Sequence, residues 1–138
     1  MRFNKLLIIP IVFILYFPVH AQEVKVMTYN IKYDNVHDTI NNWNLRKEAM
    51  VDLLKYYQAD VIGMQEVLNR QLIYLDSSLA DYNFVGVGRD DGKTKGEYSP
   101  IFYNQNQLKV IQSNTFWLSP TPEKISKGWD ASLERICT

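Results

Sequence analysis

Two polar side chains stand where apolar runs of this sequence give out. Asn30 follows Val26-Met27-Thr28-Tyr29, and Glu66 follows Val61-Ile62-Gly63-Met64-Gln65. A carboxylate at the end of a buried strand is poorly placed unless it is solvated, paired or bound to a cation. Two strand ends of one sheet can converge on one spot, so Asn30 and Glu66 can share a site. Oxygen ligands of this kind suit a hard cation such as Mg²⁺, which keeps several waters and takes one or two carboxylates. Position alone favours a plainer reading, in which both are turn residues leaving a strand. His37 has no acid or cysteine at ligand spacing and reads as an exposed histidine of a polar loop. Trp43, Phe116, Trp117 and Trp129 can stack on a base or a sugar, although packing is the commoner role. Cys137 is the only cysteine. It cannot form an internal disulfide and reads as an ordinary buried thiol.

The elements that must position these residues follow from periodicity. Glu23 to Ile31 reads as a strand, apolar on both faces and therefore interior. Residues 32–44 are polar and read as a surface loop. A helix is expected from Leu45, capped by Asn44, with Leu45, Ala49, Met50, Leu53, Leu54 and Tyr57 as its buried stripe and Arg46, Lys47, Asp52 and Lys55 facing water. Ala59 to Met64 reads as a second buried strand, and Leu68, Leu72, Leu75 and Leu79 repeat at helical spacing. Phe84 to Gly88 reads as a third strand, and Asp90 to Gly96 as a charged, glycine-containing turn. Glu97 to Tyr103 and Leu108 to Thr115 are expected to pair as a hairpin through Asn104-Gln105-Asn106. Residues 119–129 read as a loop, and Arg135 to Thr138 as the start of a further strand. The order is strand, helix, strand, helix, then strands, an α/β pattern in which helices cover a sheet.

Length and charge narrow the function classes. The chain has 138 residues, room for one domain. Arg2 and Lys5, the apolar run Leu6 to Phe17, Pro18 and the small residues of Val19-His20-Ala21 follow the order of a secretory signal peptide, cleaved before Gln22. The apolar run falls short of the ~20 residues that span a bilayer. The expectation is therefore export, to the periplasm or the medium, with no membrane span after cleavage. Taking Arg2 and Lys5 from the 15 basic side chains leaves 13 against 15 acidic ones, a net charge of −2. Proteins that grip nucleic acid through its backbone carry a basic excess, so any phosphate recognition here must be local.

Three motifs in order carry a family resemblance. Met27-Thr28-Tyr29-Asn30-Ile31, then Asp60-Val61-Ile62-Gly63-Met64-Gln65-Glu66-Val67, then Gly96-Glu97-Tyr98-Ser99-Pro100-Ile101-Phe102-Tyr103 resemble the endonuclease/exonuclease/phosphatase superfamily. Trp43 to Arg46 and Glu134 to Thr138 also look like its secreted bacterial branch. The resemblance runs from Val24 to the last residue and implies a deoxyribonuclease-like fold, a two-sheet sandwich flanked by helices in four layers. This chain would be its N-terminal half, residues 22–138, ending before the fold is complete.

What the resemblance implies for the site is specific. Glu66 matches the metal-binding glutamate, and Asn30 the asparagine beside the metal and the scissile phosphate. Glu97 matches an acid that orients a catalytic histidine; pairing with Lys93 or Lys95 is an equal alternative for it. Arg89 stands where some relatives contact phosphate, although a solvated surface arginine is the simpler reading. Lys95 replaces a tyrosine common in nucleases of the family and can meet a phosphate as a point charge. The implied activity is Mg²⁺- or Mn²⁺-dependent hydrolysis of a phosphate ester in nucleic acid, phospholipid or sugar phosphate, by a phosphodiesterase or nuclease-like enzyme. No stable protein partner is implied. The family's histidine and its late aspartates find no counterpart here, so this chain is expected to be inactive by itself. Two other readings stay open: a secreted, non-catalytic binding module on the same fold, and an unstable truncated product.

Overall fold

The computed structural model describes residues 23–138, so the expected signal peptide and its cleavage point lie outside the described residues. Five short strands and two helices lead to a last strand near the end: β1 (Val26–Asn30), α1 (Trp43–Tyr57), β2 (Val61–Gln65), α2 (Asn69–Ser78), β3 (Tyr82–Val85), β4 (Ile101–Asn104), β5 (Phe116–Trp117) and β6 (Ile136–Cys137). They form a four-stranded sheet of order β1-β2-β4-β3 and a two-stranded sheet of β5 and β6. This is the α/β, two-sheet, helix-flanked class expected from the sequence.

Strands β1 and β2 are parallel, with Asn30 opposite Gln65. A parallel neighbour cannot be reached by a tight turn and needs a crossover, which α1 supplies. One face of the sheet is the core face. Met27, Tyr29, Ile62, Met64, Phe84 and Phe102 pack there against Trp43, Met50, Val51 and Leu54 of α1 and Leu72, Leu75 and Leu79 around α2. Ile62 and Phe102 sit at its centre, with no exposed surface.

Several expectations shift. Among the described residues β1 is an edge strand and not an interior one, and Val26 on its outer face is 73% exposed. The first helix starts earlier, at Trp43, because Asn42 caps it: the Asn42 side chain accepts the Leu45 amide. The face packed on the sheet is Trp43, Met50, Val51 and Leu54, which leaves Leu45, Ala49, Leu53 and Tyr57 of the expected stripe outside. The leucine stripe of the second helix holds at Leu72, Leu75 and Leu79.

The hairpin between Glu97–Tyr103 and Leu108–Thr115 does not form. β4 lies between β2 and β3, antiparallel to both, so both of its edges are already taken. The chain instead turns at Asn104, whose carbonyl accepts the amides of Gln107 and Leu108. Residues 108–115 then run without strand pairing to β5. The strand expected after Arg135 is β6, antiparallel to β5. Cys137, on that strand, is exposed and not buried.

Candidate active site

The register of β1 on β2 brings the two strand ends side by side. Asn30 Nδ2 donates to Glu66 Oε1 at 2.8 Å, and the Tyr33 amide donates to Glu66 Oε2 at 3.0 Å. Each carboxylate oxygen is thus held by one donor and keeps lone-pair capacity toward the cleft. Asn30 is itself oriented, because its Oδ1 accepts the Lys32 amide at 2.8 Å. These donors stabilise the charged form. The Glu66 carboxyl is held below the ordinary carboxylate range, first by the Asn30 hydrogen bond, then by the Tyr33 amide, with the charges of Arg46 and Lys32 adding to both.

Both turns that leave the strands contain a non-glycine residue in the left-handed region, Lys32 at φ 58° and Glu66 at φ 61°. Such residues persist only where their surroundings fix them, at a cost of order 1–3 kcal/mol each. The surroundings here are specific. The Arg46 guanidinium donates to the carbonyls of Ile31 and Lys32, and Gln71 Nε2 donates to the same Lys32 carbonyl at 3.1 Å. Next in the chain, Asp34 is buried, pairs with Arg70 at 2.7 Å and accepts the Trp43 amide.

Glu97 reaches the same place from the other side. Tyr98 exchanges both backbone hydrogen bonds with Val67, the residue after Glu66, at 2.7 and 3.3 Å. The Arg89 amide donates to the Glu97 carbonyl at 3.1 Å. The partner of the Glu97 carboxylate is neither Lys93 nor Lys95 but Arg89, whose Nη1 lies 3.0 Å from Glu97 Oε2. Arg89 is not a solvated surface arginine: its side chain is 10% exposed. Its Nε is buried without a hydrogen-bond partner, 3.4 Å from Asp90 Oδ1. Trp117, buried, donates its indole N–H to the Arg89 carbonyl at 2.8 Å and fixes the backbone there.

Asn30, Glu66, Arg89, Glu97 and Arg135 line one cleft of about 450 Å³. Lys95 lies outside that lining and is exposed; its amide serves the 90–96 turn by donating to Asp91 at 2.9 Å. His37 is exposed, and so is Trp129, while Trp43 and Trp117 are buried. Periodicity placed Arg46 on the solvent side and assigned Gln71 nothing. The one signal for Gln71 was its position three residues after Leu68, where a glutamine reaches back to the amide preceding its helix.

The donor set fits one kind of cation. Among the described residues no group of three or more His, Cys, Asp or Glu side chains could enclose a metal, which does not suit zinc, bound by several nitrogen and sulfur ligands. Of the carboxylates lining the cleft, Glu97 is paired with Arg89, and Glu66, held by neutral donors, would suit Mg²⁺ or Mn²⁺ holding several waters. Glu66 would be the ligand. Asn30, with its amide nitrogen on Glu66 and its oxygen on Lys32, would act first by holding that ligand.

The chain belongs to the endonuclease/exonuclease/phosphatase family, whose model matches residues 27–123. Solved relatives agree. An endonuclease/exonuclease/phosphatase from Bacteroides vulgatus is 47% identical with a TM-score of 0.80, over 82% of this chain and 44% of its own. The mannosyl-6-phosphatase of Bacteroides thetaiotaomicron is 40% identical with a TM-score of 0.80, over 83% and 43%. A TDP2 of D. rerio, solved with a single-strand DNA product, is 20% identical with a TM-score of 0.56, over 72% and 37%, and shows the fold alone. The chain therefore spans less than half the length of these relatives. No curated protein matches it. Among the described residues no helix is long and apolar enough to cross a membrane.

Proposed function

We propose that this chain supplies the cation-holding side of a metal-assisted phosphoester hydrolase site, with a phosphorylated sugar as the substrate class. The observation that carries the reading is the Glu66 carboxylate, ionised and held by Asn30 and the Tyr33 amide at the ends of two adjacent parallel strands. Glu66 would hold Mg²⁺ or Mn²⁺, which would supply Lewis-acid polarisation of a phosphoryl oxygen and charge stabilisation on the departing group. The chain's own residues do the rest of the positioning. Asn30 and Tyr33 keep the carboxylate aimed, and Arg89, clamped by Glu97, would set a fixed positive charge in the cleft wall for a phosphate. Support for a small substrate comes from the absence of a basic excess and from the 40% identical relative named a mannosyl-6-phosphatase.

Among the described residues no histidine lines the cleft. His37 is the one histidine among the described residues, and it is exposed and outside the cleft. The chain by itself is therefore proposed to bind cation and substrate without turning substrate over. Export, with residues 1–21 as the signal peptide, belongs to the same proposal and rests on the N-terminal pattern alone; residues 22–138 as the family's N-terminal part is supported by the family match and the share of the relatives covered.

The test uses the full chain with Mn²⁺ or Mg²⁺. Expected are cation binding lost in Glu66→Ala, broadening of the mannose 6-phosphate ³¹P signal by bound Mn²⁺, and no release of phosphate. A nitrophenyl phosphodiester and oligonucleotides serve as competitors. Robust hydrolysis abolished by Glu66→Ala would sink the inactive half-site, and tighter binding to oligonucleotides than to the sugar phosphate would sink the substrate class.

A further inference from the structure

We infer that Gln71 and Arg46 are positioning residues that set the cation affinity of Glu66, by tying together the two turns that hold it. The inference rests on the reading of Glu66 as a cation ligand. Glu66 depends on both strand-end turns, because its carboxylate is held by Asn30 and Tyr33 while its backbone belongs to the turn after β2. Gln71 joins these turns through one side chain. Its Oε1 accepts the amide of Leu68, two residues after Glu66, at 3.0 Å, and its Nε2 donates to the carbonyl of Lys32, one residue before Tyr33, at 3.1 Å.

Gln71 is fully buried, so neither bond competes with water. Arg46 reinforces the same carbonyl. Its fork donates to Ile31 and Lys32, the two residues lying between Asn30 and Tyr33, and its Nε donates to the Asn41 carbonyl at 3.0 Å. Lys32 is left-handed at φ 58°, a conformation its side chain does not favour, and three side-chain donors on the carbonyls around it keep it there. If the clamp loosens, Lys32 can relax, the Tyr33 amide swings away, and Glu66 loses one of its two donors.

Groups that orient a metal ligand from behind change metal affinity by about 10–100-fold when removed. The test titrates Mn²⁺ into the full chain and into Arg46→Lys, Gln71→Glu and Glu66→Gln, with amide hydrogen exchange of Tyr33 followed in each. Arg46→Lys keeps the charge but loses the two-pronged grip. Gln71→Glu keeps the acceptor for Leu68 and loses the donor to Lys32 once its carboxyl is ionised; burial favours the protonated form, so Mn²⁺ is titrated at a pH where the carboxyl ¹³C shift shows it ionised. Supporting results are loss of Mn²⁺ binding in Glu66→Gln, about 10–100-fold weaker binding in the two clamp variants, faster exchange at Tyr33 and a native circular dichroism spectrum. Native affinity in both folded clamp variants, while Glu66→Gln fails to bind, overturns the clamp and leaves the Glu66 reading standing. Weakened binding with unchanged exchange at Tyr33 also overturns it. Unaltered binding in Glu66→Gln removes the Glu66 reading, and the clamp's role with it. If Gln71→Glu fails to fold, Arg46→Lys carries the test.

Discussion

Replacing Glu97 with alanine removes the partner of a guanidinium that has little access to water. Arg89 is 10% exposed and Glu97 28%, with 3.0 Å between Nη1 and Oε2. Breaking a buried pair from one side costs about 3–5 kcal/mol, most of it the uncompensated charge left behind. Two features reduce the figure here: Glu97 keeps some contact with solvent, and Asp90, half exposed, stands 3.4 Å from Nε. The expected loss is therefore about 2 kcal/mol, or roughly 8 °C in Tm for a domain of this size. The double variant Arg89→Met with Glu97→Leu removes both charges and should come back to within about 1 kcal/mol of the native chain. Urea unfolding followed by tryptophan emission is a suitable assay, since the buried Trp117 indole binds the Arg89 carbonyl at 2.8 Å and reports on this corner. A loss below about 0.5 kcal/mol in Glu97→Ala, the size usual for surface substitutions, would refute the burial argument. So would a double variant as unstable as the sum of the two singles.

Asn30→Ala should raise the Glu66 pKa, because the Asn30 hydrogen bond is the first cause of its depression. A carboxyl whose folded pKa is depressed contributes stability above its unfolded value that is lost as the pH falls through the folded one. The variant's deficit should be complete above the ordinary 4.5 and close at more acid pH, with carboxyl ¹³C titration and urea unfolding as the measurements. Gly128→Ala should destabilise, because a Cβ there would lie 2.1 Å from the Leu118 carbonyl oxygen and 3.0 Å from Ser119 Cα. Overpacking of this kind costs about 1–3 kcal/mol or more, and a thermal melt unchanged from the native one would count against the close approach. Phe102→Ala, at the fully buried centre of the sheet, should cost about 3–5 kcal/mol, read from the urea midpoint.

What local sequence determines is the set of elements and the pair at their ends. Short apolar runs placed β1 and β2, the leucine repeat placed α2, and the polar residue closing each run, together with the family motifs, pointed to Asn30 and Glu66. These signals are local, since a strand's period and its end are written in five or six consecutive residues. The helix start was less legible: Asn44 was the expected cap, and Asn42, two residues earlier and of the same type, is the one that accepts the Leu45 amide.

Pairing between distant segments was decided only by tertiary structure. Whether β4 pairs with the next segment or lies between β2 and β3 depends on which edges are free, and no local period encodes that. The same holds for charge. Lys93, Lys95 and Arg89 are all near Glu97 in sequence, and only the path of the 88–98 turn buries Arg89 against it while leaving both lysines exposed. Gln71 and Arg46 were least visible of all. Each acts through backbone carbonyls, which every residue carries, so the side chain that grips them leaves no pattern in the sequence until the fold brings Lys32 within reach.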